Sequence, residues 1–401
     1  MRRSIGLLTI AATLLFLGFA GTAPVAQAQD GKIWVPPSSI ERPGDAGVRA
    51  HTNLIVAVHN DASKPGPTWE TPGSIACVYN LVTQVSGCPI ATATTLPTGG
   101  ARAIALVDAY DNPDATTDIN TFSSQFGLPA PTFNQVYASG HKPANNAGGW
   151  SLEEALDIEW AHAMAPNAVV YLVEADSNSF QDLYTAEQVA GNLISAAGGG
   201  EISNSWSGGE YSGQQNDEHT YFSTPGVVYF ASTGDCGFCL GVPSTFASVV
   251  AAGGTSLKRS NGNFTGEWWW TSGGGGLSTI EARPPYQNGI SGIVGSHRGV
   301  PDISSDADPA SGVAMYDADG GFQWIQVGGT SVSSPTLAGI VNAAGKFAPS
   351  TKAELTNLYK EYANSGIYAK AFRDITQGNS QCKVGWDICT GIGAPITYKG
   401  K

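Results

Sequence analysis

The chain has 401 residues, with 20 Lys+Arg against 33 Asp+Glu, a formal net charge of −13 and a pI of about 4.8. An acidic excess with no basic run excludes a nucleic-acid-binding face, which needs clustered Lys and Arg to meet phosphate. Hydrophobic residues make up 42% and charged residues only 13%, which excludes a disordered chain and suits an exported protein with a polar, weakly charged surface.

Arg2 and Arg3 precede an apolar run from Ile5 to about Ala20, and Ala26-Gln27-Ala28 follows. This is the layout of a secretory signal over residues 1–28. Its apolar run is short for a spanning helix and no second one follows, so the expected product is a secreted protein, extracellular or periplasmic, with no membrane contact once the signal is removed. Residues 29–70 are Pro-rich and weakly periodic, and read as a surface extension or short prosegment remnant ahead of one domain over residues 71–401. Ala103–Asp108 (AIALVD) is a short apolar run typical of a buried strand. Thr116–Phe126 predicts a helix closed by Gly127 and Pro129. Ser151-Leu-Glu-Glu154 predicts a capping box opening the next helix. Ala168–Val173 predicts a strand and Phe180–Ala197 a helix ended by Gly198-Gly-Gly200. Val227–Ser232 and Val249–Ala252 predict strands, and Ser333–Phe347 a helix. Alternation of this kind predicts an α/β fold with a mostly parallel central sheet flanked by helices on both faces. The six cysteines fall in three local pairs, Cys77 with Cys88, Cys236 with Cys239 and Cys382 with Cys389. In an exported chain they read as disulfides, sequential pairing being one of several connectivities the count allows.

Three segments carry candidate chemistry. Gly328-Gly-Thr-Ser-Val-Ser-Ser-Pro335 precedes an apolar helix, where a serine nucleophile would gain from free N–H groups; the plainer reading is a Ser/Thr cap with Pro in the first turn. The six histidines lie in no arrangement that supplies such a serine with a base. Glu153 and Asp157, four apart, share one helix face. Like charges at that spacing disfavour an isolated helix, so they are either a solvated acidic face or a carboxylate pair sharing a proton, able to act as a base in acid where histidine is protonated. Gly234-Asp-Cys-Gly237 follows the strand Val227–Ala231, at a strand end where α/β sheets bind ligands. A protonated Asp235 there could donate to an oxyanion; otherwise it is a turn residue.

Taken together, these segments resemble the sedolisins, serine-carboxyl peptidases of subtilisin-like fold. The match runs through Gly329-Thr-Ser-Val-Ser-Ser-Pro335, the Glu153–Asp157 pair, Gly-Asp235-Cys-Gly, Leu106-Val-Asp-Ala-Tyr110, Gly273–Ser278, Pro285-Tyr-Gln287 and Arg298-Gly-Val-Pro-Asp302 with Ala307-Asp-Pro309. It covers about residues 70 to 396. The resemblance implies a subtilisin-like fold, Ser331 as nucleophile, Glu153 as base, Asp157 orienting Glu153, and Asp235 as oxyanion donor, acting on polypeptide substrates through an acyl-enzyme. It further implies one structural Ca2+ held by Asp374 and Asp387 side chains and by main-chain oxygens of Ile375, Lys383 and Gly385, with Lys383 standing where the family usually has Gly. A monomer is expected. Departures are the short stretch ahead of residue 70, where the family carries a long prosegment, and Ser207 after Ser205-Trp206, where Gly is common. Two rival readings stand beside it: an inactive exported binding protein on a peptidase scaffold, and a neutral subtilisin, disfavoured by the missing His motif.

Overall fold

The run Ala103–Val107 is apolar without interruption because both of its faces are covered. The computed structural model describes residues 32–400, and the signal expected over residues 1–28 lies outside the described residues. The strands that position the site are, in chain order, β1 (His51–Thr52), β2 (Ile55–Ala62), β3 (Ala103–Ala109), β4 (Thr132–Tyr137), β5 (Val169–Ala175), β6 (Gly200–Asn204), β7 (Trp206–Gly209), β8 (Val227–Ser232), β9 (Val250–Ser260), β10 (Asn263–Trp269), β11 (Ile303–Asp306), β12 (Val313–Asp317) and β13 (Gln323–Gly328). The helices are α1 (Ala115–Phe126), α2 (Trp150–Met164), α3 (Phe180–Ala196) and α4 (Thr330–Ala343).

The central sheet has the order β10-β9-β8-β6-β3-β5-β4, with β11 also paired to β9. Every pairing in it is parallel except β9 with β10. Alternate residues of β3 serve opposite layers. Ala103, Ala105 and Val107 pack with Phe180, Leu183 and Ala190 of α3, while Ile104 and Leu106 pack with Ile158 and Ala161 of α2 and Leu337 of α4. A strand covered on both sides needs an apolar residue at each position, which is why alternation is absent from its sequence.

Helix α2 is buried along all fifteen residues. Leu152, Leu156 and Trp160 face a core shared with Val56, Met315 and Val327, that is, a second sheet in which β2, β13 and β12 pair side by side. The helix therefore lies between two sheets, with α4 beside it. That contact is close: a Cβ on Gly339 would stand 2.7 Å from the Met164 Cβ and 2.9 Å from the Ala161 carbonyl.

Two helix starts differ from expectation. No capping box forms at Ser151, because α2 begins at Trp150 with Gly149 as its N-cap. The Trp150 N–H instead donates to Asn146 Oδ1 at 3.0 Å, and Glu154 is turned into the interior. Helix α4 begins at Thr330, three residues before the predicted start, and carries Pro335 inside it. Pro335 has no N–H to give the Ser331 carbonyl, and the Ser205 hydroxyl lies 3.4 Å from that oxygen. The stretch read as a surface extension is buried at Ala50 and from Thr52 to Val56. All three disulfides pair sequentially, Cys77–Cys88, Cys236–Cys239 and Cys382–Cys389.

Candidate active site

Three elements converge at the carboxyl edge of the sheet. Helix α4 brings Ser331 in its first turn, α2 brings Glu153 and Asp157, and the turn after β8 brings Asp235. Ser331, Glu153 and Asp157 are fully buried. The Ser331 hydroxyl donates to the Ser205 carbonyl at 3.1 Å. Both Glu153 oxygens lack a hydrogen-bond partner, although the Ser331 hydroxyl is near enough to favour the charged carboxylate. Asp157 accepts the Ser205 hydroxyl at 2.6 Å on Oδ1, and its Oδ2 has no partner.

Burial pushes Glu153 well above the usual carboxylate range, and the neighbouring charges of Asp157 and Asp108 push it further. Asp157 is raised by burial and then by Asp108, against the Ser205 hydroxyl. Charges that oppose one another in this way cannot all form together, so the pair holds a proton more firmly than either acid would in water.

Asp235 caps the start of α4. Its Oδ1 accepts the Thr330 N–H and the Thr330 hydroxyl, each at 2.8 Å. Its Oδ2 is enclosed without a partner. Burial lifts this carboxyl to about 7, with the two Thr330 bonds opposing, so below neutral pH it carries a proton that it can donate. Gly329 lets the chain pass here: at φ +105 it turns as side-chain-bearing residues rarely do, and a Cβ on it would lie 2.0 Å from the Asn53 carbonyl oxygen and 2.6 Å from Asp235 Oδ2. The Ser331 N–H donates to that same Asn53 carbonyl at 3.1 Å. An oxygen at this point thus meets a backbone donor on one side and a protonatable carboxyl on another, the arrangement of an oxyanion site.

Sequence reading marked Asp108, within the Leu106–Tyr110 match, as an accessory acid, and missed Glu154 and Glu174 behind the pair. Asp108, next to the last residue of β3, lies opposite Glu174 of β5 in register. Burial raises Asp108 well above the normal range, with Glu174 adding to it. Glu174 stands at about 8, chiefly from burial, although it accepts the Asn112 N–H at 3.0 Å and the Gln135 amide at 2.8 Å. Glu154 is buried, raised by burial and then by the nearby Glu174, and neither of its oxygens has a hydrogen-bond partner. Asp111 meets the exposed Lys142 at 3.0 Å at the outer end. A sequence signal for Glu154 existed in its adjacency to Glu153; Asp108 and Glu174 become neighbours only through strand register. Among the described residues no histidine is a partner or electrostatic neighbour of these acids. His162 is packed against the Pro129 carbonyl at 3.0 Å, and burial lowers its pKa.

These buried acids predict an inverted pH dependence of stability. Asp118 stands at about 7, Glu174 and Asp317 at about 8, all chiefly through burial. The folded chain therefore keeps protons that the unfolded chain releases above about pH 4, and stability falls as pH rises from there to about 8, levelling off beyond. At constant calcium, the melting temperature should be about 10 °C or more higher at pH 4.5 than at pH 8. A melting temperature that rises over this range would mean that the carboxyls are solvated or cation-paired.

Near the C-terminus, Asp374 lies within electrostatic reach of Asp387. Asp374 Oδ2 accepts the Gly385 N–H at 2.9 Å, and Asp387 accepts the Lys383 N–H at 2.5 Å and the Cys389 and Thr390 N–H groups at 3.0 Å. Burial lifts Asp387 to about 6, and the Asp374 charge adds to the shift. Among the described residues no cationic side chain pairs with either acid. Cys382 and Cys389 lie beside Asp387, but their disulfide removes them as metal ligands.

No family model matches the chain. It is 29% identical over 376 residues to kumamolisin of Bacillus sp. (strain MN-32), covering 82% of this chain and 62% of that protein. It is 26% identical over 340 residues to tripeptidyl-peptidase 1 of Dictyostelium discoideum, covering 74% and 53%. The chain thus spans between about half and two thirds of the length of these relatives. Among solved structures, Pseudomonas sedolisin, a serine-carboxyl proteinase complexed with pseudo-iodotyrostatin, superposes with a TM-score of 0.68 at 22% identity, covering 84% of this chain and 96% of that one. Sphericase superposes at 0.53 and 17%, covering 80% and 96%. The structural likenesses establish the subtilisin-like fold.

Proposed function

The chain is homologous to the sedolisins, and from that footing we propose that it is a secreted, acid-acting serine-carboxyl peptidase. The observation that carries this reading is the meeting of Ser331, the buried Glu153–Asp157 pair and an Asp235 oxygen without a partner at one carbonyl-binding point. Ser331 Oγ attacks a peptide carbonyl, turning from Ser205 to pass its proton to Glu153. Asp157, fixed by the Ser205 hydroxyl, orients Glu153 and shares the charge. The carbonyl oxygen, now negative, takes the Ser331 N–H and a proton-bearing Asp235. Glu153 returns the proton to the leaving amine, and water then hydrolyses the ester by the same route.

This chemistry predicts activity in acid. Asp235 loses its donor proton near pH 7, and the pair must hold one charge but not two. Casein digestion should peak below about pH 6 and fade above neutrality. An optimum above about pH 8 with loss in acid would refute the carboxylate mechanism and favour a histidine-based one.

Asp374 and Asp387 would hold a calcium ion together with main-chain oxygens of Ile375, Lys383 and Gly385. The donor set is all oxygen, as calcium prefers, and two acids that raise each other's proton affinity without a cationic partner among the described residues favour a cation. The ion would brace the loop closed by Cys382–Cys389. Removing it with EGTA should lower the melting temperature by about 5 °C or more, restored by calcium and not by magnesium. No change on chelation, with no calcium by metal analysis, would count against the site.

A further inference from the structure

Asp235 sits in a turn that is tied to itself. Cys236 follows it directly and is bonded to Cys239, three residues on. The other two disulfides are buried at both ends: Cys77 and Cys88 are 1% and 5% exposed, Cys382 and Cys389 5% and 0%. Here Cys236 is exposed and Cys239 half-buried. Thiol exchange needs access to a sulfur, so of the three crosslinks this one alone is open to a thiol in solution.

The turn has reason to relax. Phe238, inside the ring, holds φ +53, where a side chain makes the backbone unfavourable. Its far end is fixed from outside. Phe238 stacks on Trp269 of β10 with ring centroids 4.5 Å apart. The Gly237 and Phe238 N–H groups donate to the Ser272 and Gly273 carbonyls at 2.7 and 3.3 Å, and the Cys239 carbonyl accepts the Gly275 N–H at 3.1 Å. Its near end hangs on Thr330, through Asp235 Oδ1 and through the Gly234 N–H at 3.0 Å from the Thr330 hydroxyl, and on the Gly274 N–H, which donates to the Gly234 carbonyl at 2.8 Å. The disulfide joins the two ends. Its Cys239 sulfur also packs on the backbone that presents Asp235: a Cβ on Gly234 would stand 3.1 Å from it.

We propose that the Cys236–Cys239 disulfide is a site of thiol exchange that sets the working position of Asp235: closed, it holds the carboxyl at the oxyanion point, and a dithiol reductant that opens it frees the turn, admits water to the carboxyl and lowers turnover. This rests on the peptidase reading above. In the step, one thiolate of the dithiol attacks the exposed Cys236 sulfur. The bond to Cys239 breaks, and Cys239 leaves as a thiolate that takes a proton from water. The second thiolate of the reductant then closes on its own bound sulfur, releasing Cys236, which is protonated in turn. The protein gains two electrons and two protons, and the dithiol becomes a cyclic disulfide. Against Asp235 lie Gly329, Thr330 and the Asn53 backbone, none of them titratable. The charge it opposes is that of Glu153 on α2. Burial is what keeps the proton on Asp235, so water in the opened turn makes it ionise at lower pH and the donor is lost earlier as pH rises. So short a ring restrains the unfolded chain little, and stability changes little when it opens.

The test treats the full secreted chain with dithiothreitol at about pH 8, where its thiols ionise, without denaturant. The protein thiols formed are blocked with iodoacetamide and mapped by mass, and casein digestion is followed from about pH 3 to 8. The expected result is alkylation at Cys236 and Cys239 alone, with kcat at about pH 4 reduced about tenfold or more. The basic limit of activity should move down by about one pH unit, and the melting temperature should stay within about 3 °C of the untreated enzyme. Reoxidation of an unblocked sample should restore turnover. The double variant Cys236→Ser, Cys239→Ser should match the reduced enzyme and ignore dithiothreitol. If the enzyme alkylated at both cysteines keeps its turnover and its pH limit, if a buried disulfide opens first, or if turnover falls only in step with melting temperature, the inference is overturned while the peptidase reading stands. If casein is untouched at every pH before treatment, both fall.

Discussion

Replacing Ser331 with alanine removes peptide hydrolysis across the whole acid range, a fall of about 10⁵–10⁶ in kcat, while the melting temperature stays near that of the wild type. The loss is large because Ser331 alone stands beside both Glu153 and the point where a backbone N–H and Asp235 meet a carbonyl oxygen; the Ser205 hydroxyl is engaged by Asp157. The fold survives because of what the hydroxyl touches. Its one hydrogen bond, to the Ser205 carbonyl, is worth about 1 kcal/mol, and that carbonyl keeps the Asn53 N–H as a donor when the serine is gone. Turnover on casein beside thermal unfolding checks both halves. Wild-type turnover in the mutant would remove Ser331 as nucleophile, and the mechanism with it.

Asp235 gives the second large effect and separates chemistry from scaffold. Asp235→Asn keeps an oxygen for the Thr330 N–H and hydroxyl and places an amide N–H where Oδ2 stands. That amide donates at any pH, whereas the carboxyl donates only below about 7, where burial has set its ionisation. The Asn variant should retain activity and extend it toward neutral pH, as far as the Glu153–Asp157 pair permits. Asp235→Ala should lose about 10²–10³ in kcat at every pH, the usual cost of an oxyanion donor. It also strips Thr330 of its acceptor and should cost about 1–3 kcal/mol of stability. Turnover against pH for both variants, with melting temperatures, distinguishes the roles. If the two share one pH profile and their losses track stability, Asp235 only shapes the start of α4.

Much of this protein is set by local sequence. The apolar run of β3, the glycine that closes α1, the Glu153–Asp157 spacing and the strand-end position of Asp235 each depend on residues a few positions apart. Their physics, covered strands, left-handed caps and helical periodicity, can be read without knowing the fold. The short spacing of each cysteine pair likewise made the observed disulfides the local choice. Helix ends were less legible, because the groups that satisfy them come from elsewhere. Asn146 serves Trp150 from a preceding loop, and Asp235 serves Thr330 from the turn after β8, 95 residues earlier in the chain, so the side-chain signals at Ser151 and Ser333 pointed to the wrong residues. Tertiary structure alone decided the rest. Parallel register sets Asp108 beside Glu174, and burial of α2 on all sides turns Glu154 inward. Those contacts convert separate acids into one array that holds its protons near neutrality. Asn53 carries no motif; it reaches Ser331 only because the strand it ends is added between β7 and the chain after β5. Main-chain hydrogen bonds, indifferent to residue type, make that addition, and so nothing in the composition of residues 29–70 announced it.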